Sequence, residues 1–202
     1  FNYRSNAFWL PDTFGYSASI PQIMKGCGVD YFLTTKINWN DTNAFPYNTF
    51  YWQGIDGTKV FTLFNKTHCW PAPGDLHRVM TGDQKELKTI HERSVTNKRL
   101  IAYGYGDGGG GPQFEMAETA RRIKDLNGCA KAEYTTVGDF MKELEKDAKN
   151  PSTYVGELYL ELHRGTLTNQ HNIKHNNRKA ELALRDLEYL TVANAVKNGE
   201  VA

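Results

Sequence analysis

The chain has 202 residues and is 40% hydrophobic, enough to bury the core of one domain or slightly more. Its 24 basic and 23 acidic side chains leave a formal charge of +1, which excludes a net field that would recruit nucleic acid or an anionic membrane. Three widely spaced cysteines indicate neither a disulfide framework nor a zinc knuckle, and no apolar run reaches the ~18 to 20 residues of a membrane span. We therefore expect a cytoplasmic protein with no nucleic-acid partner and no membrane partner.

The first part of the chain predicts a strand–helix–strand unit and then a hairpin. The expected elements are a strand at 7–10, a loop at 11–16, a helix capped by Ser17 that ends at Gly26 or Gly28, and a strand at 31–34. This order implies a parallel sheet. Segments 49–52 and 60–64 flank Asp56-Gly57, a dipeptide favoured in tight reversals, so they predict an antiparallel pair inserted on the α/β frame.

The second part continues the α/β pattern and then changes character. The expected elements are a proline-bearing loop at 68–74, a surface helix at about 83–97, a strand at 99–103, a helix at about 113–126, a short strand at 132–134, a helix at about 137–147 and a long charged helix at about 168–196. The last helix carries an apolar stripe of Ala183, Leu184, Leu187, Leu190 and Ala193, which indicates the seam of a helical bundle. We predict a partial catalytic domain over 1–155 and a junction with the first bundle helix over 156–202.

Asp107 stands in the glycine-rich run YGYGDGGGGP, directly after the apolar segment 100–103. A strand that delivers an acid to a glycine loop is how α/β proteins mount catalytic groups. A flexible turn whose aspartate only caps the next helix is the plainer alternative. A phosphate cradle is disfavoured, because no Gly-Lys-Ser/Thr follows and the central carboxylate would repel phosphate.

Asp12 is a second carboxylate in a turn between a strand and a helix, flanked by rigid Pro11 and permissive Gly15. It is equally well explained as an acid at a helix start, where the macrodipole favours negative charge. Two such acids on two strand ends are the minimal equipment for glycoside hydrolysis, since one carboxylate attacks the anomeric carbon and the other protonates the leaving oxygen.

Five sequence segments, in chain order, resemble the middle of glycoside hydrolase family 38, the α-mannosidases, especially the bacterial and cytosolic-type branch. The runs are WLPDTFGYSASIPQI, DYFLTTKINWN, TFYWQGIDG, YGYGDGGGGP and ELYLELHRGTLTNQ. The resemblance spans essentially the whole chain. It implies a retaining, zinc-dependent, exo-acting α-mannosidase that acts on a mannose-containing oligosaccharide or glycan. The implied fold class is α/β, part of a seven-stranded β/α barrel followed by the start of a helical bundle.

The resemblance assigns roles to four residues. Asp12 matches the nucleophile, which is also a zinc ligand, and Asp107 matches the general acid/base. Phe14 matches an aromatic side chain beside the sugar, and His163 falls on the last zinc ligand. Zn²⁺ would chelate the 2- and 3-hydroxyls of a terminal mannose, and the two carboxyl groups would lie ~5 to 5.5 Å apart.

Four further residues are candidate substrate contacts. Lys36, Trp39 and Asn40 follow a predicted strand, and Arg164 stands beside His163. Packing in a core or loop explains Trp39 equally well, and a lone histidine after an apolar strand is more often hydrogen-bonded than bound to metal. His171 and His175 stand four apart on the predicted long helix and could bind metal, but their polar neighbours indicate a solvated pair.

The chain departs from the family by what it lacks. Members carry a His-x-Asp pair on the first barrel strand, and nothing before Asp12 supplies it. Asp12 and His163 alone fall short of the three or four protein ligands of a zinc site. We expect a piece of a longer enzyme that, as these 202 residues, binds zinc weakly and hydrolyses little.

Two other functions stay open. One is a carbohydrate-binding remnant that holds mannose without cleaving it. The other is a polysaccharide deacetylase-like barrel, which would require an Asp-Asp or His-x-x-x-His cluster. The sequence has no Asp-Asp pair, and its one His-x-x-x-His spacing is the pair His171 and His175, whose polar neighbours indicate a solvated surface. A homo-oligomeric parent enzyme is also compatible with the sequence.

Overall fold

The computed structural model describes residues 4–65, 93–163 and 170–199. The chain divides into two compact units, Phe1–Leu162 and His163–Ala202. The predicted loop at 68–74, most of the predicted helix at 83–97 and the predicted contact Arg164 lie outside the described residues. Among the residues described, no helix combines the length and the apolar character that crossing a bilayer requires.

The first unit is built on a five-stranded mixed sheet with strand order β1-β2-β4-β3-β5. The strands are β1 Ala7–Trp9, β2 Tyr31–Thr34, β3 Thr49–Gln53, β4 Lys59–Phe64 and β5 Thr153–Val155. β1, β2 and β4 run parallel, β3 pairs antiparallel with β4, and β5 pairs parallel with β3. The predicted strand–helix–strand unit and the predicted hairpin are both confirmed.

Four α-helices and two short 3-10 helices lie in the described ranges. They are α1 Ile20–Gly26, α2 Phe114–Arg122, α3 Val137–Asp147 and α4 His171–Asn198, with 3-10 turns at Lys36–Trp39 and Ile123–Asp125. α1 begins two residues later than predicted, with Ser19 in place of Ser17 as its N-cap and proline in its first turn. α3 begins where Thr136 accepts a hydrogen bond from the Asp139 N–H at 3.2 Å.

Both faces of the sheet are buried, and each faces its own core cluster. Successive side chains of β2 point to opposite faces of the sheet. Phe32 therefore belongs to one cluster, whereas Tyr31 and Leu33 belong to the other. The first cluster also contains Trp52, and the second contains residues of α3 such as Met141. A sheet covered on both faces explains the nearly continuous apolar runs of its strands.

Two predicted strands are wrong. Residues 99–103 and 132–134 contain no strand in the described structure. Their apolar pattern serves side-chain packing instead, since Leu100 packs against the second cluster and the rings of Tyr103 and Tyr134 lie 6.3 Å apart. The predicted seven-stranded barrel therefore stays a prediction beyond the five strands that the described residues form.

The second unit contains α4, which agrees with the predicted helix at 168–196 in type and extent. No residue of α4 is buried. Leu184, Leu187 and Leu190 of the predicted stripe are each about 60% exposed. The bundle that this stripe predicts stays a prediction.

Candidate active site

The carboxyl ends of three neighbouring parallel strands share one edge of the sheet. Asp12 follows β1, Lys36 follows β2, and Asn65 comes directly after β4. A backbone hydrogen bond connects the ends of β2 and β4, since the Asn65 N–H donates to the Thr34 carbonyl at 2.8 Å. Carboxyl edges of parallel strands are where α/β proteins place reactive groups.

Asp12 and Lys36 form an ion pair at this edge. The Lys36 Nζ lies 2.9 Å from Asp12 Oδ1, with the lysine side chain 7% exposed and the aspartate side chain 54% exposed. The same Nζ lies 3.2 Å from the centroid of the Trp39 ring, a cation–π contact. The buried ammonium is thus satisfied by the two partners, and the carboxylate remains open to solvent.

Contacts with the backbone of Leu158 fix the turn that carries Asp12. Gly15 has a φ of +121°, and a Cβ added there would meet the Leu158 carbonyl oxygen at 3.3 Å. The next residue, Tyr16, forms a backbone bridge with Leu158, with N–O distances of 2.9 and 3.0 Å. Phe14 is half-buried and packs against the first core cluster. The sugar contact implied for Phe14 remains a prediction.

The glycine-rich loop is closed on itself, and this closure explains its glycines. The Tyr105 N–H donates to the Gly111 carbonyl at 2.9 Å. A Cβ at Gly110 would meet the Tyr105 carbonyl oxygen at 2.6 Å, and one at Gly104 would meet the Pro112 nitrogen at 2.8 Å. Asp107 is exposed and has a φ of +60°, a left-handed conformation that aspartate tolerates better than most residues. The loop therefore presents a carboxylate to solvent.

Asn40 has a defined structural task. Its Oδ1 accepts a hydrogen bond from the Glu161 N–H at 2.8 Å, and its amide nitrogen donates to the Asn43 carbonyl at 3.2 Å. The Glu161 carboxylate in turn accepts from the Thr42 N–H at 3.0 Å and the Asn43 N–H at 2.6 Å. These bonds fix the loop that follows Trp39, which is 46% exposed. Substrate contacts by Asn40 and Trp39 remain predictions.

The described residues do not by themselves form a zinc shell. Across the described ranges, no group of three or more His, Cys, Asp or Glu side chains could hold a metal ion. Asp12 supplies one carboxylate, and its Oδ1 already faces the Lys36 ammonium. His163 is exposed, has a φ of +55° and belongs to the second unit.

Three polar residues of this edge were not predicted from the sequence. Tyr16 and Thr34 are buried and share a hydrogen bond of 2.5 Å, and Asn65 is 3% exposed. Thr34 is the last residue of the apolar strand β2 and Asn65 directly follows the apolar strand β4, so a polar residue at the end of an apolar run was the available signal. Tyr16 carried no such signal, because an aromatic residue after a turn is most simply predicted to pack in the hydrophobic core.

Comparisons with known proteins agree with this description. Residues 1–157 match the model of the glycosyl hydrolases family 38 N-terminal domain. The chain is 41% identical over 194 residues to "Alpha-mannosidase 2C1" of Mus musculus, covering 95% of this chain and 18% of that protein. It is also 41% identical over 193 residues to "Alpha-mannosidase G" of Dictyostelium discoideum, covering 95% of this chain and 17% of that protein.

A solved alpha-mannosidase from Enterococcus faecalis superposes with a TM-score of 0.59 at 18% identity, covering 76% of this chain and 18% of that one. At that identity the likeness shows the fold alone. Fold and site define the class, an α/β protein with two exposed aspartates on loops. Within that class, the chain belongs to glycosyl hydrolase family 38. It spans less than a fifth of the length of these relatives.

Proposed function

We propose that this chain contributes the two catalytic carboxylates of a retaining α-mannosidase that removes terminal α-linked mannose from an oligosaccharide or glycan. One observation carries the proposal: the exposed Asp12 carboxylate lies 2.9 Å from a buried ammonium in a chain of glycosyl hydrolase family 38. The ammonium holds the carboxylate in one position, and a positioned carboxylate is what the nucleophile of a retaining glycosidase requires. We take mannose as the sugar because the relatives are named alpha-mannosidases.

In the first step, an Asp12 carboxylate oxygen forms a bond to the anomeric carbon of mannose while the bond from that carbon to the leaving oxygen breaks. Asp107 gives its carboxyl proton to the leaving oxygen, so the aglycone departs as a neutral alcohol. The product is a covalent mannosyl ester on Asp12.

In the second step, the Asp107 carboxylate takes a proton from water, and the water oxygen bonds to the anomeric carbon as the ester bond to Asp12 breaks. Two inversions at one carbon retain the configuration. Asp12 returns as a carboxylate and Asp107 as a carboxylic acid, so both groups are ready for the next substrate.

The other predicted residues have assisting roles in this proposal. Lys36 orients Asp12, Trp39 and Phe14 offer aromatic faces to the sugar, and Asn40 fixes the adjacent loop. Zinc binding through Asp12 and His163 remains a proposal from the family resemblance, as do a sugar contact by Arg164 and a cytoplasmic location.

Trapping of the covalent intermediate tests the proposal. The full-length protein would be treated with a 5-fluoro-mannosyl fluoride of the matching configuration, which forms the ester quickly and hydrolyses slowly. Peptide mass spectrometry should then find the sugar on Asp12. The variant Asp12→Asn should give no adduct, and Asp30→Asn, at an exposed aspartate paired with Lys25, should label like the wild type.

Several results would contradict the proposal in different ways. An adduct on another carboxylate would remove Asp12 as the nucleophile. Mannose binding without any adduct or turnover would favour the carbohydrate-binding alternative, for which the exposed Trp39 ring is the supporting feature. Product of inverted configuration would exclude the two-step route.

A further inference from the structure

We propose that Tyr16 is a positioning residue for Asp12, acting through the turn that joins β1 to α1. The inference rests on the proposed function of Asp12. The Tyr16 hydroxyl donates to the Leu10 carbonyl at 2.5 Å and lies 2.5 Å from Thr34 Oγ1. Since the tyrosine proton is used on Leu10, the Thr34 hydroxyl donates to the Tyr16 oxygen.

These contacts connect the two segments that carry the ion pair. Leu10 begins the turn two residues before Asp12, and Thr34 ends β2 two residues before Lys36. One buried hydroxyl therefore sets the distance between the start of the Asp12 turn and the start of the Lys36 turn. A change in this distance would move the carboxylate relative to its ammonium partner.

The hydroxyl stays protonated in this setting, so its donor role persists. Burial raises the pKa of Tyr16, and the charge of Asp12 adds to the rise, while hydrogen bonds from Thr34 and Thr13 oppose it. Thr13 is the residue directly after Asp12.

The ring of Tyr16 is fixed independently of its hydroxyl. It is 4% exposed and makes edge contacts with Phe32 at 4.9 Å and Trp52 at 6.5 Å between centroids. Its backbone bridges to Leu158. A Tyr16→Phe variant should therefore keep the ring in place and remove only the bridge between the turns.

The steady-state kinetics of the full-length enzyme on an aryl α-mannoside test the inference. Loss of a hydrogen bond between well-packed groups costs about 1 kcal/mol, and more if a buried partner is left unpaired. We therefore expect Tyr16→Phe to lower kcat by about five- to a hundredfold. KM should change little, because the substrate contacts are untouched. Thr34→Val should lower kcat in the same way, and Thr34→Ser, which keeps the hydroxyl, should restore it.

A matched control separates positioning from stability. Tyr154 packs against the same core cluster, and its hydroxyl donates to the Glu157 carbonyl at 3.0 Å. Tyr154→Phe should lower the melting temperature comparably and leave kcat unchanged. The double variant Tyr16→Phe with Thr34→Val should lose less than the product of the single effects, since both act on one bridge.

The possible failures are distinguishable. A wild-type enzyme that cleaves no α-mannoside would defeat the proposed function itself. An active wild type with unchanged kcat in a folded Tyr16→Phe variant would defeat only the positioning role. Equal losses of kcat in Tyr16→Phe and Tyr154→Phe would reduce Tyr16 to a structural residue.

Discussion

Lys36 and Asp12 form an ion pair whose cation is buried and whose anion is exposed. The lysine side chain is 7% exposed and the aspartate side chain 54% exposed, with 2.9 Å between Nζ and Oδ1. A buried ammonium is costly without a partner, so the lysine favours any arrangement that keeps the carboxylate beside it. More than half of the aspartate side chain nevertheless remains accessible to solvent.

Replacement of the lysine should reduce catalytic efficiency. Lys36→Met keeps the apolar stem and removes the charge, so Asp12 loses its electrostatic partner. Charge-assisted hydrogen bonds contribute about 1.5 to 3 kcal/mol, so kcat/KM on an aryl α-mannoside should fall by about ten- to a hundredfold. Lys25→Met removes the exposed pair with Asp30, 2.6 Å long, and should leave kcat/KM within about twofold. Equal effects of the two variants would contradict this role of Lys36.

Trp39 has two possible tasks that a double-mutant cycle separates. Its ring lies against the Lys36 ammonium, and it is also exposed enough to meet a sugar. If the ring mainly holds Lys36, Trp39→Leu should cost less in the Lys36→Met background than in the wild type. If the ring mainly stacks on mannose, its removal should raise KM by a similar factor in both backgrounds. Measurement of kcat and KM for the four proteins distinguishes the two tasks.

The sequence predicted the frame of the site better than its interior. The parallel unit over 7–34 and the hairpin around Asp56-Gly57 follow from local signals, apolar periodicity and turn chemistry. Asp12 and Asp107 stood out because each follows an apolar segment and stands in a glycine-bearing turn, a place where α/β proteins mount catalytic groups. The contact of Lys36 with Asp12 spans two loops, and no local pattern reports it.

The wrong strands show where local patterns fail. Residues 99–103 are as apolar as a strand, yet strand formation also requires a neighbour with free backbone groups at the right edge. Their apolar side chains are used in packing, as Leu100 shows, and the neighbouring Lys98 reaches the carboxylates of Glu143 and Asp147 on α3. Sequence periodicity reports that a segment is buried on one side, and tertiary structure decides what it pairs with.

Two glycines of the Asp107 loop should respond differently to the same added methyl group. A Cβ at Gly110 would lie 2.6 Å from the Tyr105 carbonyl oxygen, whereas a Cβ at Gly108 would meet nothing within 4 Å. Gly110→Ala must therefore open the loop and displace Asp107, so we expect kcat to fall by at least about tenfold. Gly108→Ala should keep more than half of the activity. A loss in Gly108→Ala with none in Gly110→Ala would contradict the closed loop described for these residues.

The two tyrosines that face α3 predict a loss of stability at alkaline pH. The Tyr31 and Tyr51 hydroxyls each donate to the Glu145 carboxylate at 3.0 Å. Burial, followed by the bond to Glu145, raises the pKa of Tyr31 to about 12, and burial also raises the pKa of Tyr51. The folded state therefore holds these protons more tightly than the unfolded chain, whose tyrosines titrate near pH 10.

The sign of the effect follows from this difference. The stabilisation is complete below about pH 10 and is lost as the pH rises towards about 12, so the free energy of unfolding should fall over that range. Urea unfolding followed by circular dichroism at several pH values would measure the decline. Tyr31→Phe should be less stable near neutral pH but should show a shallower alkaline decline, because one of the shifted groups is gone. Tyr159→Phe, at a side chain that is 52% exposed, should leave the slope unchanged. A slope that is equally steep in the wild type and Tyr31→Phe would show that the alkaline loss arises from other groups.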